Sequence, residues 1–335
     1  MKSSLVEAID ILKRLSEDEV ERAVKILRGI KSEGDKEKKG IIPKCPSCGA
    51  NRVVRNGHKS GKQAYICREC KKSFVETSKS TRFKSHYGEA VWKQVIRDTV
   101  NGIALDETAA NLRMHHETVF NMRHKILHCL ERDEKENPTQ FEGICEMDET
   151  YILESSKGTK LPPDYWRKPR RHGEKAVKPG LSNEYICVCA GVERDGQAFS
   201  KIVNRAMAGS GDIEMVFGDR ISGKTVVVVD GLKGYDVLQE EGKCAVLHVD
   251  EMRHSTGDGN FFNVNMVSNY HGFIKERHRN ARGFATKYLN RYNALFSKSY
   301  RSTDVLVDDI YDLICKSADR NYTIKETQTS DLLEI

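Results

Sequence analysis

The sequence predicts a multidomain chain in which two small domains precede an α/β domain built on a mixed five-stranded sheet. Three observations support this prediction. Four cysteines stand in two C-x2-C pairs near the N-terminus, residues 87–130 show helical periodicity throughout, and short apolar strands alternate with helices after residue 141. The 335 residues are enough for one large domain and one or two small ones.

The composition is that of a soluble protein with a sizeable core. Hydrophobic residues make up 38% and charged residues 31% of the chain, and the net charge of +6 permits a nucleic-acid partner without requiring one. No apolar run reaches membrane-spanning length, and the stretch from Met1 to Glu7 lacks the apolar core of a signal peptide. We therefore expect a cytoplasmic protein with no membrane partner. Ten cysteines in such a protein indicate metal binding or buried thiols before disulfides.

The two ends of the chain are predicted to be helical. Residues 1–40 form a helical segment and a charged linker, with Leu5 and Leu12 at helical spacing. This segment is too short to fold alone, so a helical hairpin or a dimer contact suits it better than a chemical role. Residues 301–335 are expected to form a C-terminal helix and a polar tail.

Residues 41–78 carry the most specific local signal, a set of four cysteines with metal-ligand spacing. Each C-x2-C pair offers two thiolates, and the 18 residues between the pairs are typical of a β-hairpin. Four thiolates complete the tetrahedral shell that structural Zn²⁺ requires. The sequence therefore predicts a zinc ribbon held by Cys45, Cys48, Cys67 and Cys70, and the lysines and arginines near the second pair favour a nucleic-acid partner.

Residues 85–132 are predicted to form a helix-turn-helix domain. A short helix over 106–112, a turn and a longer helix from Glu117 resemble the motif whose second helix enters the DNA major groove. Arg123 and Lys125 of that second helix are the predicted DNA contacts. Any three-helix bundle has a similar pattern, so the neighbouring zinc ribbon is what favours this interpretation.

The α/β domain is predicted over 141–300 from the order of its elements. The predicted elements are three strands, a helix, a strand, a helix, a strand and a final helical region over 263–292. This is the order of the ribonuclease H-like (retroviral-integrase-like) fold. The first and fourth strands of that fold are neighbours. Asp148 closes the first predicted strand and Asp230 follows the fourth, so the two carboxylates should lie together and share a divalent metal. Glu149 alternates to the opposite strand face and is a weaker candidate ligand.

A basic insert, residues 157–180, separates the first two predicted strands. It contains eight lysines and arginines against two acids, together with Tyr165 and Trp166. A solvated loop has the same composition, but beside a pair of acids the bias favours contact with the DNA phosphate backbone. The predicted contacts are Lys168, Arg170 and Arg171.

Together these stretches resemble bacterial insertion-sequence transposases with an N-terminal zinc ribbon, a helix-turn-helix and a DDE-type catalytic domain. The closer resemblance is to the subgroup whose third catalytic acid is replaced by Asn and followed by Lys. It covers residues 40–300. The matching stretches are the four-cysteine ribbon, Asp148–Tyr151, Lys175–Leu181, Asp230–Tyr235 and Asn265–Leu289.

The resemblance implies a DNA transposase that binds terminal inverted repeats and catalyses 3′-end cleavage and strand transfer. It implies catalytic Mg²⁺ or Mn²⁺ on Asp148 and Asp230, structural Zn²⁺ on the cysteines, and Lys275 as a phosphate contact. Double-stranded DNA, as terminal repeats and as target, is the implied partner. A homo-oligomer associated with the nucleoid is also implied.

The third catalytic position departs from that family. Counting back seven residues from Lys275 reaches Ser268, where the family has Glu or Asn. Asn265 shares the helix face of Ser268, and either residue would supply a weaker, neutral oxygen. Three alternatives to an active transposase follow: a decayed copy that binds DNA, a regulator that uses only the zinc ribbon and the helix-turn-helix, and a nuclease that does not join strands.

Overall fold

The computed structural model divides the chain into two compact units, residues 1–78 and 79–335. The described residues are 42–316 apart from gaps at 60–61, 76–77, 79, 83–84, 169, 172–173, 195, 241–243, 250–261 and 302–305. The predicted N-terminal helical segment and the polar tail lie outside the described residues, so both stay predictions.

A small antiparallel sheet organises the first unit. Its strands are β1 (Val53–Lys59), β2 (Lys62–Cys67) and β3 (Ser73–Val75). The first two form the hairpin predicted between the cysteine pairs. Val53, Tyr65 and Phe74 pack with the buried Cys45 and Cys67 to form the core of this unit. So small a core rarely stabilises a fold without a metal or a cross-link.

Three helices open the second unit. They are α1 (Glu89–Val100), α2 (Leu105–Leu112) and α3 (His116–Glu136). The chain turns after α1 at Gly102, whose φ of 72° lies in the left-handed region that favours glycine. Arg113 ends α2 in the same region, and the backbone of Glu117 donates a hydrogen bond to the ring of His115 at the start of α3. The helices thus lie where the sequence places them.

A mixed five-stranded sheet forms the centre of the second unit, as predicted. Its strands are β4 (Ile144–Leu153), β5 (Tyr185–Glu193), β6 (Ala198–Arg205), β7 (Val226–Val229) and β8 (Ala245–His248). Their spatial order is β6-β5-β4-β7-β8, with β5 antiparallel to β4 and to β6, and β7 parallel to β4 and to β8. The first and fourth strands of this unit are therefore neighbours, as the ribonuclease H-like order requires.

Helices cover both faces of the sheet. The remaining helices are α4 (Ser210–Phe217), α5 (Asp236–Glu240), α6 (Asn265–Asn280), α7 (Leu289–Ser299) and α8 (Leu306–Lys316). One core contains side chains of α1, α3, α6, α7 and α8, and the core on the opposite face contains those of α4 and α5. Trp92 of α1, Leu127 of α3 and Val228 of β7 belong to the same core. The helices α1 and α3 and the sheet thus share one continuous core.

The final helical region, predicted as one element over 263–292, consists of two helices. Arg282 and Gly283 adopt left-handed φ angles of 56° and 69° after α6, and this backbone geometry ends the helix. A 3-10 turn, Thr286–Tyr288, then leads into α7. Of the described helices, none combines the length and the apolar character needed to cross a membrane.

Candidate active site and metal centre

Two carboxylates lie level with each other where β4 and β7 run side by side. Glu146 pairs with Val228 across the parallel strands. Continuing this register by two residues brings Asp148 level with Asp230, the residue that follows β7. Side chains two positions apart share a sheet face, so both carboxylates lie on the side of the sheet that α6 covers.

Asp148 is in a strongly negative, partly buried environment. Its side chain is 23% exposed. Burial raises the pKa of Asp148 to about 7, with further contributions from the charges of Asp230 and Glu149, and Lys275 opposes the rise. The backbone N–H of Glu149 donates to Oδ1 of Asp148 at 2.8 Å. Uncompensated carboxylates of this kind suit a bound divalent cation.

Hydrogen bonds hold the turn that presents Asp230. The backbone N–H of Leu232 donates to Oδ1 of Asp230 at 3.3 Å. His248, at the end of β8, places Nδ1 3.0 Å from the carbonyl oxygen of Asp230 and Nε2 2.7 Å from the carboxylate of Asp236. The turn after β7 is therefore tied to the neighbouring strand and to the start of α5, which keeps the Asp230 carboxylate in place.

His271 of α6 is the side chain that the sequence interpretation missed. Its Nδ1 lies 3.5 Å from Oδ2 of Asp148, and the residue is 7% exposed. Burial lowers the pKa of His271 to about 4, and the charge of Lys275 adds to this effect. The imidazole is therefore neutral near pH 7. A signal was present in the sequence, because His271 precedes Lys275 by one helical turn.

The predicted third-position residues lie earlier on α6. Ser268 and Asn265 are both exposed, in the first turns of the helix, and Ser268 stands three residues before His271. Residues three apart on a helix are neighbours on its surface, so Ser268 and His271 share a side of α6. Lys275 is exposed one turn beyond His271. The helix thus presents an oxygen, an imidazole and an ammonium group in succession.

Glu146 fixes the start of α6 against β4. This wholly buried carboxylate accepts hydrogen bonds from the backbone N–H groups of Met266 at 2.6 Å and Val267 at 3.3 Å. These N–H groups lack partners within the helix, and the helix dipole favours a negative charge here. Burial raises the pKa of Glu146, while the bonds from Met266 and Val267 oppose that rise. Sequence reasoning did not identify this contact between residues 120 positions apart.

Glu149 lies on the opposite face of the sheet from Asp148, as the alternation along β4 predicts. Its neighbour there is the wholly buried Tyr235. Burial raises the pKa of Glu149, and the charge of Asp230 adds to this effect. Glu149 therefore adds negative charge to the region from behind the sheet.

The four cysteines of the first unit form a compact cluster. Their sulfur atoms all lie within 4.8 Å of one another, with Cys45 and Cys70 3.5 Å apart and Cys48 and Cys67 3.6 Å apart. A tetrahedral zinc ion with bonds of about 2.3 Å places its sulfur ligands roughly 3.8 Å apart. The donor set and the spacing therefore fit a structural Zn²⁺.

Two of the predicted DNA contacts on α3 are not free on the surface. Arg123 is 2% exposed and donates to the carbonyl oxygen of Ile103 at 2.9 Å. The predicted groove contact by Arg123 is therefore wrong, because its guanidinium connects α3 to the start of α2 inside the protein. Lys125 is half-buried, and burial lowers its pKa. Helical periodicity alone did not reveal which face of α3 the neighbouring helices cover.

The basic insert is anchored by ion pairs on its inner side. Arg170 pairs with Glu184 and donates to the backbone of Glu154, so this predicted DNA contact serves the protein's own structure. Arg167 pairs with Glu154 at 2.8 Å, and both side chains are buried. Lys168 and Arg171 are exposed, as a DNA contact requires.

The chain has a distant sequence similarity to a protein of a transposable element. No protein-family model matches it. An uncharacterized protein in the transposable element ISH50 of Halobacterium salinarum is 22% identical over 220 residues, which cover 65% of this chain and 70% of the relative.

Solved structures similar to the chain include complexes of Mos1. A pre-cleavage Mos1 transpososome has 12% identity and a TM-score of 0.26, over 71% of this chain and 80% of that chain. The Mos1 strand transfer complex has 13% identity and a TM-score of 0.29, over 71% and 79%. Such scores carry no structural argument, so the fold assignment rests on the strand order and directions of the sheet itself.

Proposed function

We propose that this chain is the DNA transposase of an insertion sequence, which binds terminal inverted repeats and catalyses metal-dependent 3′-end cleavage and strand transfer. The observation that carries the proposal is the pair formed by Asp148 and Asp230 on adjacent parallel strands. Phosphoryl transfer depends on positioning and charge compensation, and a rigid sheet edge provides the positioning. The relative that belongs to a transposable element supports the same class.

Asp148 and Asp230 are the proposed ligands of a divalent cation. Carboxylate oxygens are the donors that Mg²⁺ and Mn²⁺ prefer. Burial, together with the charges of Asp230 and Glu149, raises the pKa of Asp148, so a cation would stabilise its charged form. When bound, the cation would lower the pKa of an attacking water or 3′-hydroxyl group and stabilise the leaving 3′-oxygen. Lys275 would hold a phosphate oxygen near the scissile bond.

His271 would orient the acid pair from the helix side. A neutral imidazole donates a hydrogen bond through one nitrogen, and Nδ1 of His271 lies 3.5 Å from Asp148. Donation to Oδ2 would hold the Asp148 carboxylate in one orientation and leave its other oxygen for the cation. Ser268 or Asn265, one and two turns earlier, would supply the neutral oxygen of the third position.

The proposed DNA contacts come from three parts of the chain. The four-cysteine unit would bind structural Zn²⁺ as a zinc ribbon, and α2 and α3 would act as a helix-turn-helix, with Lys125 at its margin. Both would recognise the terminal repeats. Lys168 and Arg171 of the insert would contact flanking or target DNA through the phosphate backbone. Strand transfer brings two ends together, so a homo-oligomer on nucleoid DNA would carry out the reaction.

A catalytically decayed copy is the second candidate, and the third position favours it. Ser268 and Asn265 are neutral where a glutamate would add a negative charge, so the affinity for a second cation would be lower. Such a protein would bind the terminal repeats without cutting them. A DNA-binding regulator would behave in the same way, whereas a simple nuclease would cut without joining.

The test is a cleavage and joining assay on DNA that carries the inverted repeats flanking the gene, with Mg²⁺ or Mn²⁺. Wild type is compared with Asp230→Asn, with Ser268→Glu and with the exposed control Asp164→Asn. We expect wild type and the control to cut and join, and Asp230→Asn to lose at least about a thousandfold in rate while still binding DNA.

Each other outcome selects a different function. End binding without cutting, restored by Ser268→Glu, identifies a decayed transposase. Cutting without joining identifies a nuclease. Folded, zinc-loaded protein that neither binds nor cuts the ends would rule out the proposal.

A further inference from the structure

Gly272 lies in the middle of α6, at a position where glycine destabilises the fold. Glycine in a helix interior is less favourable than alanine, because folding removes more conformational freedom from it. A left-handed backbone or a kink often explains such a glycine. Neither applies here, because the φ angle of Gly272 is not positive and α6 continues without a break to Asn280.

Packing within the protein does not require glycine at this position either. A Cβ built on Gly272 would meet no neighbouring atom of the described residues within 4 Å. The residue is exposed, so the space in front of it opens to solvent. The fold of the described residues would therefore accept alanine at position 272, and alanine would stabilise it. Glycine is also the residue that lets a ligand approach the backbone closely, and this explanation remains.

The exposed side of α6 is centred on Gly272. At 100° per residue, Lys275, Ser268 and Arg279 lie within about 60° of Gly272 around the helix axis, and all of them are exposed. Ser268 precedes Gly272 by four residues and Lys275 follows it by three, so both are its neighbours on the helix surface. Gly272 alone among the exposed residues of α6, all of which the structure describes, lacks a side chain. It leaves a gap between Ser268 and Lys275.

This gap lies next to the acid pair and is bordered by positive charge. His271, the preceding residue, places Nδ1 3.5 Å from Oδ2 of Asp148, and the charge of Lys275 also acts on Asp148. Lys275 and Arg279 border the gap on one side of the helix. Basic side chains attract the phosphate backbone of DNA. A phosphodiester that lay in the gap would therefore be held between the basic residues of α6 and the acid pair.

We propose that Gly272 admits the substrate strand to the acid pair, because the missing side chain lets the sugar-phosphate backbone lie directly against α6 between Ser268 and Lys275. The inference rests on the proposed function, since the transposon end is the strand that is admitted. A side chain at position 272 would keep the scissile phosphate away from Asp148 and Asp230. A misplacement of about 1 Å is enough to slow a reaction about a hundredfold.

The experiment compares Gly272→Ala and Gly272→Gln with the same substitutions at Gly211, in the full chain. Gly211 is the matched control, because it is an exposed glycine of α4, on the opposite face of the sheet, and a Cβ built on it also meets nothing within 4 Å. Alanine at either position should raise the Tm of the second unit by roughly 2–4 °C, because alanine is the better helix former.

Cleavage of end DNA should respond to position 272 alone. We expect the rate to fall about tenfold in Gly272→Ala and at least about a hundredfold in Gly272→Gln, in the order of side-chain size. Both Gly211 variants should cut at the wild-type rate. A gain in Tm together with a loss of cleavage separates a blocked substrate path from a damaged fold.

Binding measurements test the same inference without cleavage. One end duplex stops short of the cleavage site, and a second extends across it. Wild type should bind the extended duplex about tenfold more tightly than the short one. Gly272→Gln should lose this gain and bind the short duplex like wild type. The rise in Tm that Mg²⁺ or Mn²⁺ produces should be equal in wild type and Gly272→Ala, because the acid pair is unchanged.

The outcomes separate this inference from the proposed function. A lower Tm in Gly272→Ala would show that the fold itself requires glycine, and it would overturn the inference. An undiminished binding gain in Gly272→Gln would do the same, and so would loss of the metal-dependent rise in Tm in Gly272→Ala. In each case, wild type that cuts and joins the ends leaves the proposed function intact. Folded wild type that neither binds nor cuts the ends would overturn the proposed function, and the role of Gly272 with it.

Discussion

At the scale of single residues, the acid pair of Asp148 and Asp230 lowers the stability of the folded chain. Asp148 and Asp230 lie level on adjacent strands, and Glu149 adds charge from behind the sheet. Like charges brought together and partly removed from water destabilise the folded chain unless a proton or a cation neutralises them. The raised pKa of Asp148 is the measure of that cost.

Asp148→Asn should stabilise the protein in the absence of added Mg²⁺ or Mn²⁺. Because the folded-state pKa of Asp148, about 7, is above its unfolded value of 3.8, the stability contributed by protonation is present below pH 4 and is lost as the pH rises through 7. The variant should therefore gain about 2–4 kcal/mol over wild type at pH 8, and nearly nothing at pH 4.

Thermal melting at the two pH values checks this prediction, with Asp164→Asn as the exposed control. Added Mg²⁺ should reduce the stability advantage of the variant over wild type, because the cation stabilises wild type by neutralising the same charge. An equal change in Tm at both pH values would show that the Asp148 carboxylate is not the strained group.

Individual residues also show how much of the candidate site can be predicted from the sequence. Asp148 and Asp230 are predictable because strand period and element order are local patterns that fix their neighbourhood. Glu146 is not, since its partner Met266 is 120 positions away. The spacing of His271 from Lys275 indicates the helix face of His271, but it does not reveal the contact with Asp148. The burial of Arg123 is equally hidden, because a surface arginine and an internal one look the same in a helical sequence.

At the scale of elements, the site depends on how α6 lies along β4. Glu146 meets the helix at Met266 and Val267, and His271 meets Asp148 two strand positions further on. Two strand residues span about 7 Å and five helix residues about 7.5 Å, so the two contacts are matched in length. The helix start is therefore a positioning device for Ser268, His271 and Lys275.

Glu146→Gln should weaken the attachment of the start of α6 to β4. Both donors bind the same carboxylate oxygen, so the amide oxygen would still accept from Met266 and Val267. The substitution would remove the charge that the helix dipole favours, and it would place an N–H₂ group opposite Arg194. We expect a loss of about 1–3 kcal/mol in the free energy of unfolding. Amide hydrogen exchange at Met266 and Val267 should accelerate, whereas the exposed control Glu142→Gln should change neither quantity. Unchanged exchange would mean that packing alone holds the helix.

The ends of helices were predictable where a local residue type sets them, and they were not predictable where tertiary packing sets them. Gly102 marks the end of α1 in the sequence because glycine tolerates a left-handed turn. The break between α6 and α7 begins instead at Arg282, a residue that usually continues a helix. The core that α1 and α3 share with the sheet is likewise a product of tertiary packing, which no helical period specifies.

At the scale of the whole molecule, the two compact units differ in what stabilises them. The second unit has two hydrophobic cores on either side of a five-stranded sheet. Among its described residues, the first has a hydrophobic cluster of five buried side chains, two of which are cysteines of the metal-ligand set. Burial on that scale among the described residues offsets little of the entropy of ordering the strands, so we expect metal binding at the four cysteines to supply most of the free energy of folding.

Removal of zinc should therefore unfold the first unit and leave the second intact. Both tryptophans, Trp92 and Trp166, belong to the second unit, so tryptophan fluorescence reports on that unit alone. We expect a chelator to release one zinc ion per chain, to abolish slow hydrogen exchange in β1 and β2, and to leave the fluorescence-detected Tm unchanged. Cys67→Ser should reproduce the effect, whereas Cys315→Ser should keep the zinc. A chelator-induced fall in the tryptophan-detected Tm would show that the second unit depends on the metal as well.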